Sequence, residues 1–484
     1  MNELSKITPK DIGENIGADT MDAELMVTYP TAAFLSKEYL EAEKKLLWPK
    51  IWQMVERETD LPNPGDWMTY NVAEESVIVL RKDDGSLKAF HNVCPHRGRQ
   101  LIDVPDMLPN PHSTKKGYVH DVRGNNRKSF ICGFHGWTYD LDGNNTYILD
   151  KQDWGEGGLT KEMTCLSEIK VDTWGGYIYI NMDPESMSLK EWMGRAGEIL
   201  DHFDLAGMHY KWRQWAIYPC NWKTAIEAFL EPYHVAGTHT QLLAYGDYYA
   251  LSKQYGLHSV SSYDTRDAKF KMSESAGTTR AGKGDDPRVS TYELIRENYE
   301  TVNFSASTET LVKAASRLKD ELPETATAQE CIAHWIKSAK ADDAARGVIW
   351  PEVPPEIKQE GGLAWGLWPN QNILHGETFA LCYRVRPYGD DPNQCIFESY
   401  ALERFPEGEA PETEWVYAEA TGENWGSVLA QDFSNMEFVQ KGMKSSGFRG
   451  PLPNPHQEQK VINLHRNLAD WMEGRGAVTP VHKN

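Results

Sequence analysis

Apolar residues first fall at helical spacing from Ser36, where Tyr39, Leu40, Ala42, Leu46, Leu47 and Trp48 form a stripe that Pro49 ends. The residues before it show little periodicity and read as a tail or arm. After Leu61-Pro-Asn-Pro-Gly65 the period shortens to that of strands. Residues 76–81 and 87–90, on either side of Asp84-Gly85, predict a hairpin, and 169–171 and 176–180 predict two more strands. Helical patterning returns over 187–203, from Trp222 onward, and within 290–348, notably 308–318 and 327–341. Strands resume at 363–367, 378–385 and 395–402. Val461, Leu464, Leu468, Trp471 and Met472 then mark an amphipathic helix over 457–474. No repeat or low-complexity tract interrupts this order. The pattern predicts an α+β chain in three parts: an arm and helix over 1–49, a small all-β domain over 50–182, and a larger domain of antiparallel sheet plus helices over 183–484.

Composition narrows the partners. Fifty basic against 71 acidic side chains give a net charge of −21, a field that repels phosphate backbones and argues against nucleic acid. The N-terminus lacks the charged and apolar regions of a signal peptide, and no apolar run is long enough to span a bilayer. Seven scattered cysteines, an odd number, suit reduced thiols in a cytoplasm better than a disulfide framework.

Two of those cysteines stand beside histidines. Cys94-Pro-His96 is followed after 35 residues by Cys132-Gly-Phe-His135, so each of two loops offers one thiol and one imidazole. Zinc held by two Cys and two His is one reading. A zinc finger, however, pairs like with like, whereas one of each per loop suits a two-iron, two-sulfide cluster with both thiolates on one iron and both imidazoles on the other. A second constellation follows Asn221-Trp-Lys223: Glu227, Glu231 and His234 lie at i, i+4 and i+7 of a helix, with His239 beyond. On an ideal helix His239 is roughly 140° around from His234. The two meet only if the helix is bulged or ends there, which Gly237 would permit.

Cys94-Pro-His96-Arg-Gly98 and Cys132-Gly-Phe-His135-Gly-Trp-Thr-Tyr-Asp-Leu-Asp-Gly143 closely resemble the two Rieske loops of ring-hydroxylating oxygenase α-subunits. The segment around His234 resembles the mononuclear-iron motif of the same family. The resemblance implies a Rieske domain and then a catalytic domain, with Cys94, His96, Cys132 and His135 on a [2Fe-2S] cluster and His234 and His239 on Fe(II). It places the third iron ligand at Asp432 in Gln431-Asp432-Phe-Ser-Asn-Met-Glu437, with Glu437 the weaker competitor. Glu231 stands where the family generally has Asp, an acid that bridges a Rieske histidine of one subunit to an iron-ligand histidine of the next. Here that would link His135 to His234. The family's loops are separated by about half this distance, so 97–131 reads as an insertion. Its seven basic and three acidic side chains are equally a docking surface for an acidic electron donor or a solvated loop.

No dinucleotide-binding turn and no plant-type ferredoxin cysteine run is present. The resemblance therefore implies a separate reductase, with or without a ferredoxin, and a homotrimer of α-subunits with or without β-subunits. The expected reaction is dioxygen-dependent mono- or dihydroxylation of an aromatic or polycyclic substrate. Phe229, Leu230, Tyr233, Leu242, Leu243 and Tyr245 could line its pocket, though core packing explains them equally. A non-catalytic Rieske electron carrier is the alternative. It would need neither His234, His239 and Asp432 nor the large second domain.

Overall fold

The computed structural model describes residues 29–104, 121–242, 250–263 and 286–474. The arm before Tyr29, Leu243, Tyr245, and Asp106, Lys115 and Lys116 of the insertion lie outside the described residues. The chain divides into two compact units, Glu41–Trp192 and Met1–Leu40 with Met193–Asn484.

In the Glu41–Trp192 unit, seven antiparallel strands run in spatial order Gln53–Arg57, Tyr177–Asn181, Glu168–Trp174, Leu87–His91, Glu75–Arg81, Trp67–Val72 and Arg123–Gly124. The predicted hairpin is among them, with Ile78 opposite Phe90. Alternation sends Ile78 and Leu80 inward, into a core shared with Trp67, Phe90, Phe130 and Trp137. A small sheet of Phe130–Ile131, Thr138–Tyr139 and Asn145–Tyr147 carries the second Cys–His loop. Cys94 and Cys132 belong to the same core cluster, so both thiols are anchored from below by packed apolar side chains.

The second unit is built on an eight-stranded sheet in the order Ala250–Tyr255, His258–Tyr263, Ala364–Leu367, Gln371–His375, Phe379–Pro387, Cys395–Glu403, His209–Tyr218 and Val416–Tyr417. All neighbours are antiparallel except the last pair. The Trp222–Leu230 helix packs on the middle strands, and the predicted C-terminal helix, Gln459–Met472, packs on Ala250–Tyr255 and His258–Tyr263. Helices Pro287–Thr301, Glu309–Ser316 and Ala328–Ala345 pack on one another around Leu311, Ala314 and Trp350. The last of the three opens with a capping box between Thr327 and Glu330. No helix among the described residues is long and apolar enough to cross a membrane.

Candidate metal centres

The two Cys–His loops share one backbone design. The Cys94 carbonyl accepts from Gly98 N–H at 2.9 Å and the Cys132 carbonyl from Gly136 N–H at 3.0 Å. Cys94 N–H donates to Arg99 O and Cys132 N–H to Trp137 O, each at 2.8 Å. Gly98 (φ 76°) and Gly136 (φ 69°) supply the left-handed turns that close the loops. Asn92 pins the first loop's exit: its Oδ1 accepts from the N–H groups of Leu101 and Ile102, and its Nδ2 donates to Ile102 O. Both thiols are buried, and the His96 and His135 rings lie 4.5 Å apart. The Nδ1 atoms of both rings are buried without a hydrogen-bond partner. Orphaned buried nitrogens of this kind are rare in proteins, and two imidazoles with two thiols are the donor types that a Rieske cluster takes. Tyr139 Oη lies 3.1 Å from Cys94 Sγ. His96 stacks on Trp137 at 4.8 Å, and a recess of about 300 Å³ over the two histidines is lined by Trp137, Asp150, Asp153 and Trp154.

Around His234 the structure departs from the expected continuous helix. The Trp222–Leu230 helix stops at Glu231, whose φ/ψ of −123°/127° is extended. Pro232 is the reason, because the residue before a proline is driven out of helical space. A separate short turn, Val235–Thr238, then carries the chain from His234 to His239. The expected role of Gly237 is therefore corrected: the proline makes the break, and Gly237 sits inside the short turn without a positive φ.

The break turns both imidazoles to one point. His234 Nε2 and His239 Nε2 are 3.3 Å apart, and Asp432 Oδ1 lies 3.4 Å from the first and 2.9 Å from the second. Metal bonds of about 2.1 Å at right angles put donor atoms about 3.0 Å apart, so this triangle fits three adjacent positions on one divalent ion. Asp432 comes from the Ser427–Gly442 helix, on its buried side. Each imidazole is also fixed from behind. Glu231 Oε1 is 2.8 Å from His234 Nδ1, while Glu231 Oε2 accepts from the His234 backbone N–H at 2.9 Å. Gln431 Oε1 lies 2.7 Å from His239 Nδ1. With both Nδ1 atoms so engaged, both Nε2 atoms are left to ligate. Burial pulls the His234 ring toward its neutral form, but the Asp432 and Glu231 carboxylates outweigh it and raise its pKa to about 10. Burial likewise disfavours the Asp432 carboxylate, and the two imidazoles more than offset this to lower its pKa.

The triad stands between two cavities. One, about 260 Å³, has walls that include Phe229, Val302, Leu374, Phe379 and Leu381. The other, about 410 Å³, is more polar and is lined in part by Tyr29, Glu227, Glu231 and Glu458. Glu227 pairs with His465, on which Tyr29 stacks at 3.4 Å, so it faces this second cavity and not the triad. Glu437, the other candidate carboxylate, is paired with Lys441 instead. The described basic residues of 97–131 are engaged within their own unit: Arg99 with Asp103, Arg123 with Glu56 and Asp60, Arg127 over the Trp67 ring. Tyr139 and Gln431 carry no motif of their own, so the sequence alone does not single them out.

Known proteins resemble both halves. The family model described as ring hydroxylating alpha subunit (catalytic domain) matches residues 172–474, and that of the Rieske [2Fe-2S] domain matches 51–153. The large oxygenase component of the naphthalene 1,2-dioxygenase system of Pseudomonas aeruginosa is 33% identical over 220 residues, 43% of this chain and 44% of that protein. The carnitine monooxygenase oxygenase subunit of Acinetobacter pittii (strain PHEA-2) is 27% identical over 219 residues, 44% of this chain and 52% of that one. The chain thus spans about half the length of the curated relatives it matches. In fold it is similar to a quaternary ammonium Rieske monooxygenase with L-carnitine bound, with a TM-score of 0.57, 17% identity, and 92% and 95% of the two chains covered. It is similar also to naphthalene 1,2-dioxygenase from Rhodococcus sp. with indole bound, with a TM-score of 0.56, 17% identity and 98% of each chain covered.

Proposed function

The chain belongs to the family of ring-hydroxylating oxygenase α-subunits, and on that premise we propose that it hydroxylates an uncharged aromatic substrate with dioxygen and delivered electrons. Its cofactors are a Rieske [2Fe-2S] cluster and a mononuclear Fe(II). Cys94, Cys132 and the Nδ1 atoms of His96 and His135 would hold the first; His234, His239 and Asp432 would hold the second. One observation carries the reading: three donor atoms converge within 3.4 Å of one another at the wall of an apolar cavity. When bound, the cluster supplies single electrons and the iron supplies dioxygen activation.

The chain's own residues prepare that chemistry. Glu231 and Gln431 orient the two imidazoles. Three ligands grouped on one face of a bound ion would leave its other face for dioxygen. The apolar walls exclude bulk water, which would otherwise compete for that face. They also bear on the substrate. Among the described lining residues the charged or titratable side chains are those of the triad, Glu231, His375 and the phenols of Tyr263 and Tyr383, and burial holds His375 neutral, with a pKa of about 4. None of the described lining residues is a lysine or arginine that would meet the carboxylate of a zwitterion such as carnitine. A wall rich in Phe and Leu favours a flat apolar ring system.

Glu231 would be this subunit's half of an electron bridge to His135 of a neighbouring copy. Apolar side chains exposed on both surfaces support that docking: Phe134 (56% exposed) beside His135, and Leu452 (70%) at the mouth of the polar cavity. A homotrimer and a separate reductase, with or without a ferredoxin, follow from this reading. The test is anaerobic reconstitution, then turnover with a chemical or enzymatic electron supply. About three irons per chain, a dithionite-dependent Rieske resonance and a hydroxylated aromatic product are expected. Oxidation of carnitine, with a panel of aromatics left untouched, would reverse the substrate assignment.

A further inference from the structure

The apolar cavity, read above as the substrate's site, is lined by several polar side chains, Ser262 and Tyr263 among them, and two further pairs contrast. Asn372 and Ser261 are already engaged: Asn372 Nδ2 donates to Phe229 O, its Oδ1 accepts from Lys460 Nζ at 3.3 Å, and Ser261 Oγ donates to Ala364 O at 3.4 Å. Tyr383 and Asn298 are not. Tyr383 follows Phe379 and Leu381 at alternate positions of one strand, so all three face the cavity that they line. It stands opposite Asn372, stacks on Phe229 at 4.1 Å and is only 5% exposed. Among the described residues its hydroxyl has no hydrogen-bond partner.

Asn298 approaches from the Pro287–Thr301 helix. One turn before it, Leu294 packs on Val235 and Leu242; one turn after it, buried Val302 lines the cavity. The i, i+4, i+8 spacing sets a carboxamide in the middle of an apolar stripe that faces the cavity. It too has no side-chain hydrogen bond among the described residues. Polar groups turned into an apolar wall are unfavourable unless something completes them.

We propose that Tyr383 and Asn298 are specificity-determining residues that hydrogen-bond an oxygen substituent on the aromatic substrate, so that the enzyme prefers a phenol to the bare hydrocarbon. A phenolic hydroxyl can accept from one neighbour and donate to another, and these two side chains offer both functions. The proposal rests on the oxygenase reading, and binding measured without turnover keeps the two apart. Calorimetry on the iron-loaded, dioxygen-free enzyme would compare naphthalene with 2-naphthol and biphenyl with 2-hydroxybiphenyl. The hydroxylated member of at least one pair should bind about tenfold more tightly, the factor a hydrogen bond of ordinary strength supplies. Tyr383→Phe and Asn298→Leu should each shrink that ratio several-fold while iron content stays unchanged. Equal binding within both pairs, no binding of either, or a ratio that survives both substitutions would overturn the proposal. A starting protein without iron or cluster would overturn the oxygenase reading and this inference with it.

Discussion

At Cys94, His96, Cys132 and His135 the proposed ligand atoms sit on two loops of matching backbone, with the thiols buried and the imidazoles at an open recess. At His234, His239 and Asp432 they come from a broken helix and a second helix some 190 residues further on, and they open into cavities inside the unit. The difference fits the two tasks proposed for these sites. A group that exchanges electrons with other proteins has to reach a surface. A group that handles dioxygen beside an organic substrate is better screened from water and from stray reductant. Rigidity is obtained differently too: the loops are held by their own backbone hydrogen bonds, the buried triad by the side chains of Glu231 and Gln431.

If the two sites are independent constructions, each can be removed without the other, and this is the largest effect expected. Asp432→Ala should abolish turnover and lower iron from about three to about two per chain, with the Rieske resonance intact. Cys132→Ser should do the reverse, losing the resonance and about two irons while the mononuclear site still binds its metal. Metal analysis and electron paramagnetic resonance on both variants check this. Loss of all iron from either one would mean that the sites stand or fall together.

A smaller effect sharpens how the buried triad is held. Glu231→Gln keeps an oxygen that can accept from the His234 ring, so both metals should stay bound while turnover falls about 10–100-fold. Gln431→Leu leaves His239 Nδ1 without its partner and should weaken iron binding about 10–100-fold, read by chelator competition, with the Rieske resonance unchanged. If Glu231→Gln turns over normally, the carboxylate has no part beyond orienting the ring.

The same contrast explains what could be read from the amino acids alone. Each Cys–His loop is local, so spacing within four residues revealed it, and the hairpin and the C-terminal helix announced themselves through periodicity. His234 and His239 were recognisable, but the way they meet was not: the helical spacing of Glu227, Glu231 and His234 suggested one face, and the break at Pro232 undid it. The strands His209–Tyr218 and Gln371–His375 went unpredicted, because neither alternates cleanly between buried and exposed positions. Tyr383 and Asn298 could not be found at all. Their significance depends on sheet register and on a helix laid across a cavity, which only long-range packing decides.

The smallest effect tests the exposed site. Tyr139 is buried, with its hydroxyl 3.1 Å from Cys94 Sγ. Burial comes first, then the neighbouring thiols, in pushing its pKa well above the ordinary tyrosine value. It therefore remains an O–H donor at any working pH. A hydrogen bond to a thiolate draws charge from the sulfur and stabilises the reduced cluster, which carries one more electron than the oxidised one. Tyr139→Phe removes that bond and the hydroxyl's interaction with the Asn145 side chain, while the ring stays packed among the same neighbours. The reduction potential should fall by about 20–60 mV, the equivalent of one ordinary hydrogen bond in a one-electron couple. Iron content and the affinity of the His234–His239–Asp432 site should not change. Spectroelectrochemical titration of the variant against the unsubstituted protein measures the shift. An unchanged potential would mean that the loops' backbone hydrogen bonds and the open recess govern this cluster's electronics without help from Tyr139.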